Sequence, residues 1–198
     1  MILIYDTETD GLVHGDLPPE HPLQPHLVQL GCVLADDDGR ERAAVSLIVR
    51  PEGWAIPEAA FRAHGISTEE AVRCGVPHAV AVAAFTQLRA LADTLAVHNA
   101  PFDRLVMAAA IARTGRQSAS PGPLRHLCTM QMAAPIVNLP PTDRMRAAGF
   151  TKPKPPSLSE AYRAFFGEEL VGAHDALVDA RACARILFHM RALEAQTA

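Results

Sequence analysis

The chain opens on an apolar run, Ile2-Leu3-Ile4-Tyr5, that passes directly into Asp6-Thr7-Glu8-Thr9-Asp10-Gly11. The pattern predicts a strand, and because residues at i and i+2 of a strand leave the same face, Asp6 and Glu8 project together. Val13 to His26 follows, rich in Pro and His. Its prolines disfavour helix interiors and central strands, so it predicts a long loop. Leu27–Leu34 and Ala43–Arg50, separated by a turn at Asp36-Asp37-Asp38-Gly39-Arg40, predict a hairpin pair that extends the first strand into an antiparallel meander.

Beyond residue 50 the period changes. Pro57–His64 predicts a short helix, Ser67-Thr68-Glu69-Glu70 a capping box opening another, and Val80–Ala92 a helix with an apolar stripe at Val82, Phe85, Leu88 and Leu91. Thr94–His98 reads as a buried strand, followed by a helix from Pro101 to Thr114 that stops at Gly115. Gln117–Pro123 predicts a polar loop, Leu124–Cys128 a short strand and Thr129–Ala134 a short helix. Pro135–Pro156 carries six prolines among Lys and Arg and predicts an irregular, basic, mobile segment. Ser157-Leu158-Ser159-Glu160 starts a helix through Phe166. Asp175 to Glu194 predicts a long final helix with apolar positions Ala176, Leu177, Ala180, Cys183, Ala184, Leu187 and Met190. Strands first, then alternating helices and strands, predict an α/β fold: one domain over residues 1–198, a mixed sheet flanked by helices.

Composition narrows the picture. With 49% hydrophobic residues in 198, the chain can bury a stable core, and no stretch is apolar enough to span a bilayer. The chain begins on a strand with no basic leader, which predicts a cytoplasmic protein. Cys32, Cys74, Cys128 and Cys183 lack metal-ligand spacing and predict buried thiols rather than a zinc site. The net charge of -4 speaks against nucleic-acid binding, except that four of the acids belong to a candidate site whose charge a cation would neutralise.

That site combines Asp6 and Glu8 with Asp103, His174 and Asp179. Two like charges on an apolar strand are costly unless something positive holds them, and hard carboxylate oxygens suit Mg2+ or Mn2+. Each residue alone has a plainer reading. Asp6 and Glu8 could mark a solvated strand end, Asp103 could pair with Arg104 or Arg113, and Asp179 could pair with Arg181 or Arg185. An imidazole, which titrates near neutrality, suits a general base if His174 faces the helix-borne Asp179. His14, His21, His26, His78, His126 and His189 fit no such pattern and read as surface or structural residues. Trp54 reads as packing beside Pro51 and Pro57.

The segments Asp6-Thr7-Glu8-Thr9-Asp10-Gly11-Leu12, His98-Asn99-Ala100-Pro101-Phe102-Asp103 and His174-Asp175-Ala176-Leu177-Val178-Asp179 resemble the three motifs of the DEDDh exonucleases. Ala60-Phe61-Arg62-Ala63-His64-Gly65-Ile66-Ser67 resembles the element between the first two. That family includes the epsilon proofreading subunit of bacterial DNA polymerase III, exonuclease I, RNase T and oligoribonuclease. The resemblance implies an RNase H-like sheet of five strands, two Mg2+ or Mn2+ ions, and removal of 5'-mononucleotides from a 3' end. It implies that Asp6 bridges both ions, that Glu8 and Asp179 complete one site, that Asp103 serves the other and that His174 is the general base. Thr9, Leu12, His64, His98, Asn99 and Phe102 match positions that meet the terminal nucleotide. The implied substrate is single-stranded DNA or a DNA 3' end, in proofreading or repair, with a polymerase as the implied partner. An exoribonuclease and a non-catalytic binding module are the rivals. Arg144, Arg146, Lys152 and Lys154 form a basic group that could track a phosphate backbone.

Overall fold

The computed structural model describes residues 1–115 and 124–197. The predicted loop at Gln117–Pro123 lies outside them. Three strands come first: β1 (Ile2–Thr9), β2 (Leu27–Ala35) and β3 (Glu41–Ile48). Helices α1 (Glu58–His64), α2 (Thr68–Cys74) and α3 (His78–Ala90) precede β4 (Thr94–Val97), α4 (Ala100–Arg113) and β5 (Arg125–Cys128). The chain continues through α5 (Thr129–Val137), α6 (Asp143–Ala147), α7 (Leu158–Phe166) and α8 (Ala176–Thr197). The sheet order is β3-β2-β1-β4-β5, antiparallel on the β3-β2-β1 side and parallel from β1 through β4 to β5. This is the mixed sheet that the pattern predicted, with the RNase H-like order that the family resemblance implied.

Alternation along β1 divides the core. Leu3 and Tyr5 face Phe85 of α3 and Val106, Met107 and Ala110 of α4, whereas Ile2 and Ile4 face Ala180, Cys183 and Leu187 of α8. Both faces are covered, so β1 is apolar on both faces as far as Tyr5, and β2 is apolar except at Gln29 and Gly31. Tyr5 meets Phe85 edge to face, centroids 5.0 Å apart. The β1–β4 pairing runs from Ile2 with Thr94 to Ile4 with Ala96 and stops there. Past it, the carboxyl ends of the two parallel strands leave a crevice, the usual ligand position in an open sheet with parallel strands.

Several expectations are corrected. Leu91 is 62% exposed because α3 ends at Ala90, leaving Leu91 as its cap. Ser67 accepts from the Glu70 amide, but the full reciprocal capping box forms at Ser157 and Glu160. Pro135–Pro156 is not wholly irregular. Pro135 sits inside α5, Thr142 caps α6, and Leu139 bridges to Lys154. Cys74 is an exposed thiol, while the other three are buried. Trp54 stacks on His26 with centroids 4.5 Å apart and joins the small cluster of Val28, Ile56 and Ile66.

The loop after Leu12 is tied down. Asp10 Oδ1 accepts from the His26 amide at 2.6 Å and its Oδ2 meets His26 Nδ1 at 2.8 Å. The buried Gln24 amide donates to the His14 and Leu17 carbonyls, and the Arg113 guanidinium donates to the Pro25 and Gln24 carbonyls. Among the described residues, no helix is long and apolar enough to cross a membrane.

Candidate active site

Asp6 and Glu8 leave β1 on its α8 face, just past the point where β4 departs. In the β1–β2 register Asp6 stands opposite Gly31 and Glu8 opposite Gln29. Those two β2 residues seat the start of α8. A Cβ on Gly31 would lie 2.1 Å from the backbone carbon and oxygen of Ala176, so only glycine admits the helix. Gln29 Oε1 accepts from the Ala176 amide and its Nε2 donates to Asp175 Oδ2, both at 3.0 Å. Asp175 Oδ1 accepts from the Leu177 and Val178 amides, capping the helix.

This seat delivers His174 and Asp179. His174 holds φ 70°, a left-handed conformation that a non-glycine residue keeps only where its surroundings enforce it. Its amide donates to Asp179 Oδ2 at 3.1 Å. Ligand atoms of Glu8, His174 and Asp179 all lie within 4.8 Å of one another. From the other side α4 brings Asp103, 3% exposed, whose Oδ1 accepts from the Thr7 hydroxyl at 2.8 Å. Pro101 sits in the first turn of α4, where its missing N–H costs nothing, and Asn99 before it takes the left-handed φ of 70°.

All five residues line one cavity of about 210 Å³, together with Thr7, His98, Asn99, Phe102 and Leu158. A larger, mostly apolar cavity of about 580 Å³ beneath α4 is lined by Tyr5, Phe85 and Met107; its only described carboxylate is Glu20, so it lacks comparable chemistry.

Burial and mutual repulsion hold protons on the cluster. Asp6 is pushed well above the ordinary carboxylate range by burial, then by Asp103, Asp179 and Glu8. Glu8 rises to about 8 through burial and the charges of Asp179 and Asp103. Asp103 rises to about 7 because burial outweighs the Thr7 hydrogen bonds that favour its charge. Asp179 is raised by burial against the opposing His174 N–H.

The plainer pairings do not form. Arg181 binds Glu41, Arg185 binds Glu168, and Arg113 is spent on backbone carbonyls. Asp179 Oδ1 is buried without a hydrogen-bond partner. Four oxygen-donor side chains that resist ionisation, one with an orphaned buried oxygen, fit a divalent cation of the Mg2+ or Mn2+ kind.

The residues matched to substrate contacts separate into groups. Asn99 and Phe102 line the cavity, exposed and half-buried respectively. His98 lines it too, but its polar edges are already used. The Pro156 carbonyl can only accept, so Nε2 donates to it at 3.0 Å, and Nδ1 takes the Thr129 hydroxyl at 2.9 Å. His98 thus lines the cavity as a buried tie between β4, α5 and the segment before α7. Thr9, Leu12 and His64 lie outside the described lining of the acidic cavity. The Thr9 hydroxyl turns to the Gly11 carbonyl at 2.7 Å, and Leu12 beyond it is 83% exposed. His64 Nδ1 accepts from the Ile66 amide, and burial lowers its pKa.

Half of the predicted basic group is internally neutralised. Arg146 pairs with Asp143 and Lys154 with Glu160, leaving Arg144 and Lys152 exposed. Sequence reading missed Thr7, Gln29, Gly31 and Asp175. Gln29 and Gly31 did carry a signal, as the one amide and the one glycine inside an otherwise apolar strand.

A mixed RNase H-like sheet with acids gathered where its central strands part defines a nuclease-like architecture. The sequence matches the exonuclease family of RNase T over residues 3–187, and the chain belongs to that family, with the DEDDh set of residues. Its fold is similar to that of E. coli exonuclease I in complex with a dT13 oligonucleotide (TM-score 0.78, 19% identity, 99% of this chain and 42% of that one). It is equally similar to the same enzyme in complex with a dA16 oligonucleotide (TM-score 0.78, 20% identity, 98% and 41%). Exonuclease I of Methylocaldum szegediense gives a TM-score of 0.74 at 19% identity, over 98% of this chain and 41% of that one. The chain therefore spans about two fifths of the length of these solved proteins. No curated protein sequence matches it significantly.

Proposed function

We propose that residues 1–198 form a single 3'-to-5' exonuclease domain that hydrolyses terminal phosphodiester bonds of single-stranded DNA, releasing 5'-mononucleotides. The observation that carries this is the convergence of Asp6, Glu8, Asp103 and Asp179 with His174 on one cavity, with all four carboxyls raised by burial and one oxygen orphaned. Asp6, Glu8, Asp103 and Asp179 would hold two Mg2+ or Mn2+ ions. Bound there, the ions supply Lewis-acid charge to the scissile phosphate and its leaving oxygen.

The chain's own residues supply the rest. A ring nitrogen of His174, close to Glu8 and Asp179, accepts the proton of the attacking water. Thr7 keeps Asp103 oriented toward its charged form. Phe102, half-exposed at the cavity edge, offers a face to the terminal base, a stack that contributes roughly 1–3 kcal/mol. Leu12, exposed past the Thr9–Gly11 turn and outside the cavity lining, is the proposed wedge beside that base, a reading supported by its 83% exposure.

The choice of DNA is supported by the oligodeoxynucleotides in the similar exonuclease I structures. A proofreading or repair role, a polymerase partner and a cytoplasmic location belong to the same proposal. Matched single-stranded DNA and RNA oligonucleotides, incubated with Mg2+ or Mn2+ and resolved for mononucleotides, test it. Faster release of deoxynucleoside 5'-monophosphates is the expected result. Faster release from RNA would make the protein an exoribonuclease, and tight binding with no release would make it a binding module.

A further inference from the structure

Gln29 is 4% exposed, the one amide in a strand otherwise built of apolar residues, and it reaches 146 positions along the chain to bind Asp175. A buried amide at such a place costs free energy unless its partners satisfy it. Here both ends reach one turn: Oε1 takes the first amide of α8, and Nε2 grips the carboxylate that caps that helix while also donating to the Ser46 hydroxyl of β3 at 3.2 Å. The same turn carries His174 at φ 70° and its amide bond to Asp179. The pairing of Glu8 with Gln29 across β1 and β2 ties this grip to the strand that bears the acids.

We infer that Gln29 is a positioning residue of the reaction, holding the Asp175 cap so that the left-handed His174 faces Glu8 and Asp179. The inference rests on the exonuclease reading of this site. It assigns no contact with substrate to Gln29. Its action runs through the turn: with the amide gone, residues 173–176 lose their anchor on β2, and His174 is free to leave the left-handed conformation that a non-glycine residue keeps only under constraint. The cap on Leu177 and Val178 is local to α8 and survives, so the helix itself stays formed.

The test combines kinetics on a single-stranded oligonucleotide with hydrogen exchange. Gln29→Met keeps length and burial but removes all three side-chain hydrogen bonds, the two to the turn and the one to Ser46. It should lower kcat by roughly ten- to a hundred-fold, as losses of supporting shells do, with KM nearly unchanged. In a His174→Ala background the same substitution should change kcat by less than about two-fold, because residues acting as one unit are not additive. Amides of residues 173–176 should exchange faster in Gln29→Met while the β1–β2 amides keep their protection. Equal losses in both backgrounds, a wild-type kcat, or unchanged exchange would each overturn the inference.

Exchanging donor and acceptor gives an independent arm should Gln29→Met fold poorly. Gln29→Glu alone sets two carboxylates against each other and should be impaired. Adding Asp175→Asn lets the new amide at 175 donate to the new carboxylate at 29, while its oxygen still caps the helix, and should restore kcat. Failure of the double variant to recover would overturn the inference. An inactive wild-type protein would instead remove the exonuclease reading, and hydrogen exchange would still decide whether Gln29 holds the turn.

Discussion

Gly31→Ala is the smallest change that should damage this site without touching a functional group. An added Cβ would lie 2.1 Å from Ala176 C and O and 2.4 Å from Leu177 N, where ordinary contact begins near 3.4 Å. The shortfall of about 1.3 Å is against backbone, which cannot rotate aside as a side chain would. Either β2 buckles opposite Asp6 or the first turn of α8 withdraws by about 1 Å. Overpacking of this kind costs about 3 kcal/mol at the upper end of its usual range. For a chain of this size that lowers Tm by about 6–12 °C. The same withdrawal parts Glu8 from His174 and Asp179, and a misplacement of about 1 Å costs on the order of a hundred-fold in rate. Calorimetry and oligonucleotide hydrolysis in Mn2+ read the two effects on one sample. Wild-type Tm would refute the close seat of α8 on β2, and a lowered Tm with undiminished turnover would refute its link to the site.

Thr7→Val removes the hydroxyl that stabilises the charged form of Asp103, so the Asp103 carboxyl should rise further and the acid limb of the pH–rate profile should move to higher pH; an unmoved limb would remove Thr7 from the account. Glu8 and Asp103 retain protons to about 8 and about 7 in the folded protein without metal, above their ordinary 4.5 and 3.8. Between those limits the native state binds more protons than the unfolded one, so stability that is full below about pH 4 is lost progressively as pH rises to about 7 for Asp103 and about 8 for Glu8. In EDTA, Tm should therefore fall over that window, and added Mg2+ should raise it more at about pH 8.5 than at about pH 5.5; the opposite order would contradict the raised values. His174→Ala should retain divalent-ion binding in calorimetry while losing roughly 10²–10⁴ in rate, and turnover equal to wild type would exclude it as the base.

Much of this site was legible because the sequence conflicts with itself there. Acids at Asp6 and Glu8 interrupt an apolar strand, and a glycine and a glutamine interrupt the next one, so local preference and burial disagree where chemistry is placed. The sheet also followed from pattern, since β1, β2 and β3 announce themselves as apolar runs separated by turn residues. What could not be read are the long-range contacts. Thr7 binds Asp103 across 96 positions and Gln29 binds the Ala176 amide across 147, and neither register nor helix placement is written in local spacing. His98 shows the converse. Its motif suggested a place in the pocket lining, which it takes, but the residues that satisfy its ring, Thr129 and Pro156, come from distant segments and could not be read locally. The prolines of 135–156 do not break all helix, since α5 accommodates Pro135 near its end and Thr142 caps a further turn of helix.

The most direct test of the central claim is a time course on 5'-labelled single-stranded DNA with Mn2+, run beside EDTA and beside Asp6→Ala. The account predicts a ladder that shortens one nucleotide at a time from the 3' end in the wild type alone, vanishing with chelation and with the Asp6 carboxylate. Internal cleavage, shortening from the 5' end, or a ladder undiminished in Asp6→Ala would contradict it.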